Sequence, residues 1–125
     1  MTRREFSVLP TAALAAAPNR KMTIQLECGS IGVKASQPDV LVHAKKYGFE
    51  SISADSGWLV SQPASAVDEL LAAMKQAGIV WGNAGMPVQF RTTDEEFKKS
   101  MAEFPARAAA MRRAGRHGDG WIPSF

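Results

Sequence analysis

The residues able to hold a small ligand recur at one kind of place in this 125-residue sequence. They stand at or just past the ends of short segments in which apolar and polar residues alternate. Glu27 and Cys28 end the first such segment, Asp55 and Trp58 follow the second, and Asn83 and Met86 end the third. A carboxylate or carboxamide can bond a hydroxyl, and an indole can stack on the face of a sugar. Glu27, Asp55, Trp58 and Asn83 are therefore the candidate substrate-binding residues. Each also has a plainer role open to it. Glu27 could cap its own loop, and Asp55 before Ser56-Gly57 suits an Asx turn. Trp58 could pack on a neighbouring loop, and Asn83 beside glycines suits a left-handed turn.

Other reactive residues lack the neighbours that chemistry requires. Cys28 has no histidine near it in sequence and reads as a small buried hydrophobe. His43 and His117 lack metal-ligand spacing to a second histidine or carboxylate. Asp94, Glu95 and Glu96 read as charges complementing a helix dipole rather than as an acid–base pair. Gly29 and Gly32 lack the third glycine and distal acid of a dinucleotide fingerprint. No catalytic residue and no metal ligand is assigned.

The elements that must position these residues alternate regularly. Residues 23–28, 49–54 and 79–84 read as strands. After the first, a loop with Gly29 and Gly32 leads to a helix with Pro38 in its first turn. Its expected buried face is Val40, Leu41, Ala44 and Tyr47, and Lys45, Lys46 and Gly48 mark its end. After the second strand comes a turn over residues 55–58, then a helix capped by Ser65, with Asp68 in a loose capping-box position. Val67, Leu70, Leu71 and Met74 face its core, and Lys75 with Gly78 ends it. After the third strand and the loop 85–91, Thr92 or Thr93 caps a longer helix. Its apolar stripe of Phe97, Met101, Phe104, Ala108 and Met111 is expected in the core, with a kink or break at Pro105. Strand and helix in alternation imply parallel strands joined by helical crossovers. The fourth strand due after Gly115 is half polar and glycine-rich.

Charge and composition narrow the function classes. Lys and Arg exceed Asp and Glu by 15 to 12, but Arg3, Arg4, Arg20 and Lys21 lie in the first 21 residues. From Met22 onward the two signs balance at 11 each, so no basic footprint for nucleic acid exists. No stretch has the apolar length of a membrane span. The single cysteine rules out an internal disulfide and a cysteine-built metal cage. Residues 1–21 follow the order of a signal peptide: Arg3-Arg4-Glu5-Phe6, an alanine-rich run to Ala17, then Pro18. The paired arginine with Phe6 resembles the bacterial twin-arginine motif, which implies export to the periplasm.

The body also resembles a known family. Residues Gln25-Leu26-Glu27-Cys28-Gly29-Ser30-Ile31-Gly32, the strand at Phe49-Glu50-Ser51-Ile52, and Pro105-Ala106-Arg107-Ala108-Ala109 with Arg113-Ala114-Gly115 are similar to the xylose isomerase-like TIM-barrel family of sugar phosphate isomerases and epimerases. The resemblance spans roughly residues 22–115. It implies an α/β fold of repeated βα units, here a partial (β/α)8 TIM barrel of about three to four units over residues 22–125. It also implies a sugar or cyclitol as ligand and, in an intact member, a divalent metal held by later strands. A closed barrel takes about 250 residues, so the chain is expected to be the N-terminal part of such a protein. It is expected to be inactive alone, to carry no cofactor of its own, and to self-associate through open sheet edges. The alternative is a non-catalytic α/β module that binds a sugar or a partner.

Overall fold

A computed structural model describes residues 22–116 and the backbone of Gly120–Trp121. Residues 1–21, which the sequence leads one to expect as an export leader, and His117 lie outside the described residues. Four strands and four helices follow one another: β1 (Gln25–Leu26), α1 (Gln37–Tyr47), β2 (Ser51–Ala54), α2 (Ser56–Ser61), α3 (Ala64–Ala77), β3 (Val80–Gly85), α4 (Asp94–Arg113) and β4 (Gly120–Trp121). A single 3-10 turn, Gly29–Ile31, follows β1. The strands form one open sheet in the order β1-β2-β3-β4, and every neighbouring pair is parallel. The alternation in sequence therefore yields an α/β fold with a parallel sheet.

Local chemistry fixes where the helices begin and end. Ser36 caps α1 in a full capping box with Asp39, and Pro38 sits in the first turn, where its missing N–H costs nothing. Gly48 and Gly78 end α1 and α3 at φ of 76° and 68°, a left-handed region that glycine enters without the strain a Cβ brings. Thr93 caps α4, its side chain accepting from the Glu96 amide.

All four helices lie on the same side of the sheet. Leu26 is in register with Ile52, Ile52 and Ala54 share a face, and Ala54 is in register with Ala84. Around these residues Val40, Leu41 and Ala44 of α1 and Leu70 and Met74 of α3 form one core cluster. Leu59 of α2, Val67 of α3, and Ala110 and Met111 of α4 form a second. The opposite face carries Gln25, Ser51, Ser53 and the half-exposed Val80, none of which belongs to either core cluster. Sequential strand order explains the one-sidedness, because crossovers of one hand between successive neighbours put every helix on one face. Where β3 passes Ser53 the register slips by one residue at Gly82 and Asn83.

Several expectations are corrected. Tyr47 is 65% exposed rather than part of the α1 core face, and it stacks on His43. The segment after Asp55 is a helix, α2, not a simple turn. Helix α3 starts at Ala64 behind Pro63, so Ser65 lies inside its first turn instead of capping it. Pro105 does not break α4, which runs unbroken from Asp94 to Arg113. The stripe on α4 is not core: Phe97, Met101, Phe104 and Ala108 are exposed, and Met111 alone of the five is buried. The buried side of α4 is instead Ser100, Ala110 and Met111, followed by Ala114, whose carbonyl accepts from Trp81 Nε1 at 2.9 Å. Polar anchors and small residues, not the bulkiest side chains, set the rotation of this helix.

Candidate functional site

The carboxyl ends of β1, β2 and β3 open into one cleft of about 780 Å³, with the polar side of α4 as its outer wall. Glu27 stands past β1, Asp55 and Ser56 past β2, and Met86 past β3, while α4 contributes Lys99, Glu103 and Arg107. Ligands of parallel α/β proteins lie at this end of the sheet, where the connecting loops diverge.

Each wall is held by specific bonds. Asp55 caps α2, its Oδ1 accepting from the amides of Gly57 at 2.9 Å and Trp58 at 3.1 Å. The cap uses Oδ1 alone, so this carboxylate serves the helix and still borders the cleft. Arg107 donates from Nη2 to Glu103 at 3.0 Å and from Nη1 to Ser56 Oγ at 3.4 Å. It thereby ties α4 to the start of α2. A Cβ on Gly57 would lie 3.2 Å from Asp55 Oδ1 and 3.3 Å from Arg107 Nη1, so glycine permits this close approach. Ser100 accepts from the Gln89 amide at 3.0 Å and donates to the Phe97 carbonyl at 2.9 Å, pinning the β3–α4 loop to the helix.

Gln37 gives the cleft its firmest support. Its side chain is 2% exposed. Nε2 donates to the Ser53 carbonyl at 2.9 Å, and Oε1 accepts from the Asp55 amide at 2.6 Å. Because β1 pairs with β2 only at Ser51 and Ile52, the end of β2 lacks a strand partner there. The Gln37 carboxamide supplies the missing donor and acceptor in place of a peptide group.

The four sequence candidates separate. Glu27 and Asp55 line the cleft. Trp58 does not; it is half-buried and packs against both core clusters. Asn83 also stands apart from the cleft. Its backbone amide donates to Gln25 Oε1 at 2.8 Å and its Oδ1 accepts from Gln25 Nε2, so the Gln25 carboxamide clasps Asn83 by both backbone and side chain on the helix-free side of the sheet. Gly82 makes room for that clasp: a Cβ there would sit 2.0 Å from Gln25 Oε1. Asn83 has negative φ, so the turn conformation considered for it is not adopted. Cys28 is buried in the core, and burial first, then the charge of Glu27, push its thiol above the usual range. It is a packing group, not a nucleophile.

Sequence reading missed Gln25, Gln37 and Arg107. Gln25 shares strand parity with Glu27, and that was its signal. Arg107 stands four residues past Glu103 and seven past Ser100, a polar row at helical spacing beside the more conspicuous Phe and Met stripe. Gln37 carried no signal, because its role depends on where β1 stops.

Among the described residues no three His, Cys, Asp or Glu side chains gather closely enough to hold an ion. What the cleft offers is carboxylates that accept from hydroxyls, with a guanidinium, an ammonium and a serine hydroxyl that donate. No family model, no curated protein and no solved structure matches this chain.

Proposed function

We propose that this chain supplies the first βα units of a barrel related to sugar isomerases and epimerases, and that its cleft binds a polyhydroxylated ligand without turning it over. One observation carries the reading. Among the described residues every helix packs on one face of a sequentially ordered parallel sheet, and the other face, polar but for Val80, leads to a cleft at the strand ends. A doubly wound sheet would carry helices on both faces. A barrel wall needs them on one, with its inner face turned to the centre.

The mixture of Glu27, Asp55, Lys99 and Arg107 suits hydroxyls, which both donate and accept. Proton transfer beside a carbonyl would also need a positioned base and an electrophile for the enediolate. Under the first reading those groups come from later strands of the intact barrel. The second reading, a non-catalytic module that binds a sugar or a partner, does without them. A divalent metal belongs to the intact barrel under the first reading and has no role under the second.

The test is an amide-resolved NMR titration of the full chain with pentoses, hexoses and a cyclitol, with and without magnesium or manganese. Saturable shifts at Glu27, Asp55 and Arg107 without product are expected. Cation-dependent isomerisation would overturn the non-catalytic part, and unchanged spectra would overturn the ligand class. The proposal extends to export through residues 1–21. Replacing Arg3 and Arg4 by lysine should then keep a fused reporter in the cytoplasm. Among the described residues no helix is long and apolar enough to cross a membrane.

A further inference from the structure

Helix α4 carries an apolar seam that its own fold leaves open. Phe97, Met101, Phe104 and Ala108 recur at intervals of four, three and four, the spacing by which one helix meets another along its length. The three large side chains are 40%, 46% and 37% exposed. The seam is wider than the helix. Met86, Val88 and Phe90 of the β3–α4 loop flank its first half around a groove of about 310 Å³. A second groove of about 850 Å³ runs beside Phe104, Ala108 and Met111. Contiguous apolar surface of this kind marks an interaction site.

The charges on α4 say which partner fits. Its first turn is acidic, with Asp94 and Glu95, and its last turn is basic, with Arg112 and Arg113. Of these, Asp94 and Arg112 flank the seam on one side at helical spacing, whereas Glu95 and Arg113 lie on the far side of the helix. Two copies of α4 laid antiparallel about a two-fold axis set Asp94 of each copy beside Arg112 of the other, at both ends of one seam. Phe97 of one copy then meets Ala108 of the other, and Met101 meets Phe104. A large residue faces a small one in the outer layers, as close packing of two helices requires. The parallel alternative puts acids on acids and arginines on arginines. A two-fold interface uses one patch twice, so a surface complementary to its own reverse is suited to it.

We infer that the chain forms a two-fold dimer through antiparallel α4–α4 contact centred between Met101 and Phe104. This contact lies on the helical side of the sheet, away from the strand edges, so it is separate from any pairing of β1 or β4 with another chain.

Sedimentation equilibrium of the full chain up to about 100 μM, a range that reveals micromolar dissociation constants, should give a species of twice the chain mass. Met101→Lys should weaken association roughly tenfold or more, because it sets a charge in an apolar seam, while circular dichroism and thermal unfolding of the monomer stay unchanged. Asp94→Lys should also weaken the dimer, and adding Arg112→Glu should restore it. A parallel dimer would keep like charges together in both variants and show no such rescue, which overturns the geometry. A chain that remains monomeric throughout overturns the inference. A dimer indifferent to Met101→Lys and to the charge exchange overturns it as well, because its interface must then lie elsewhere.

Discussion

Helices α3 and α4 share a core cluster on the same face of the sheet, yet they meet that core in different ways. Helix α3 turns Val67, Leu70 and Met74 inward and leaves its outer side polar. Helix α4 turns Ser100, Ala110 and Met111 inward, with Arg107 and Glu103 at the cleft, and leaves two phenylalanines and a methionine outside. For α3, apolar burial alone decides the rotation. For α4, three polar anchors compete with it: the Trp81 indole on the Ala114 carbonyl, Ser100 on the Gln89 amide, and Arg107 on Ser56. Alanines at 110 and 114 allow the close approach that these bonds need. A large side chain thus guides a helix to its core only where nothing polar fixes the helix first.

That contrast is broken most easily by equalising the two helices in a stability measurement. Leu70→Ala empties a site only 5% exposed and should cost about 2–5 kcal/mol. Phe104→Ala, measured in urea at concentrations low enough to keep the chain monomeric, should stay within about 0.5 kcal/mol, the range of substitutions away from packed sites. Similar costs at the two positions would mean that the stripe on α4 is packed in the monomer after all.

The next effect concerns anchors in place of packing. Gln37→Met keeps the volume but removes both bonds to the end of β2, leaving the Ser53 carbonyl and Asp55 amide without their partner. The expected loss is about 1–3 kcal/mol. Gln37→Glu keeps the acceptor for Asp55 and loses the donor to Ser53, so it should stand between the two. Faster hydrogen exchange at Asp55 than at Ile52 would locate the damage at the cleft. Uniform acceleration would show Gln37 to be a general core residue instead.

A smaller effect tests the helix-free face. Gly82→Ala forces the Gln25 carboxamide aside, and because that group ends a flexible side chain the cost should be about 1 kcal/mol. Its mark is spectroscopic: the Asn83 amide resonance should move, with little change at Asp55. A shift at both would couple the clasp to the cleft.

These contrasts explain how much could be read from the residues alone. The strand–helix alternation, the glycines at 48 and 78, the Pro38 start and a threonine cap at 92 or 93 were legible, because each depends on chain-local geometry. The same holds for Asp55, whose position before Ser56-Gly57 announced an Asx-type cap. Glu27 was legible as a strand-end carboxylate. The rotation of α4 was not, since the periodicity of its stripe is satisfied equally by a buried face and by an exposed seam. Trp58 was misplaced for a similar reason. Its loop became a helix, and that turned the indole toward the two core clusters. Gln37 and Arg107 act across 16 to 18 and 51 residues of sequence, and nothing local announces such a contact.

The smallest effect lies at a helix end, where local sequence decides everything and the two-helix contrast has no influence. The Asp39 carboxyl is held below its usual value, chiefly by the Ser36 hydroxyl, then by the Ser36 amide, with desolvation opposing and the charge of His43 adding least. A carboxyl whose folded value is depressed stabilises the fold above its unfolded value, near 3.9 for Asp, and that contribution disappears as pH falls through the folded value. The first turn of α1 should therefore loosen in the acid range below about pH 4. In Asp39→Asn, that part of the acid dependence should vanish while Gly48 keeps the other end of the helix intact. A carboxyl-carbon NMR titration of Asp39 checks the direction. A midpoint at or above the ordinary Asp value would mean that Ser36 and Asp39 do not form the reciprocal box in solution. The start of α1 would then rest on Pro38 and the buried Gln37, and its acid sensitivity would have to come from another group.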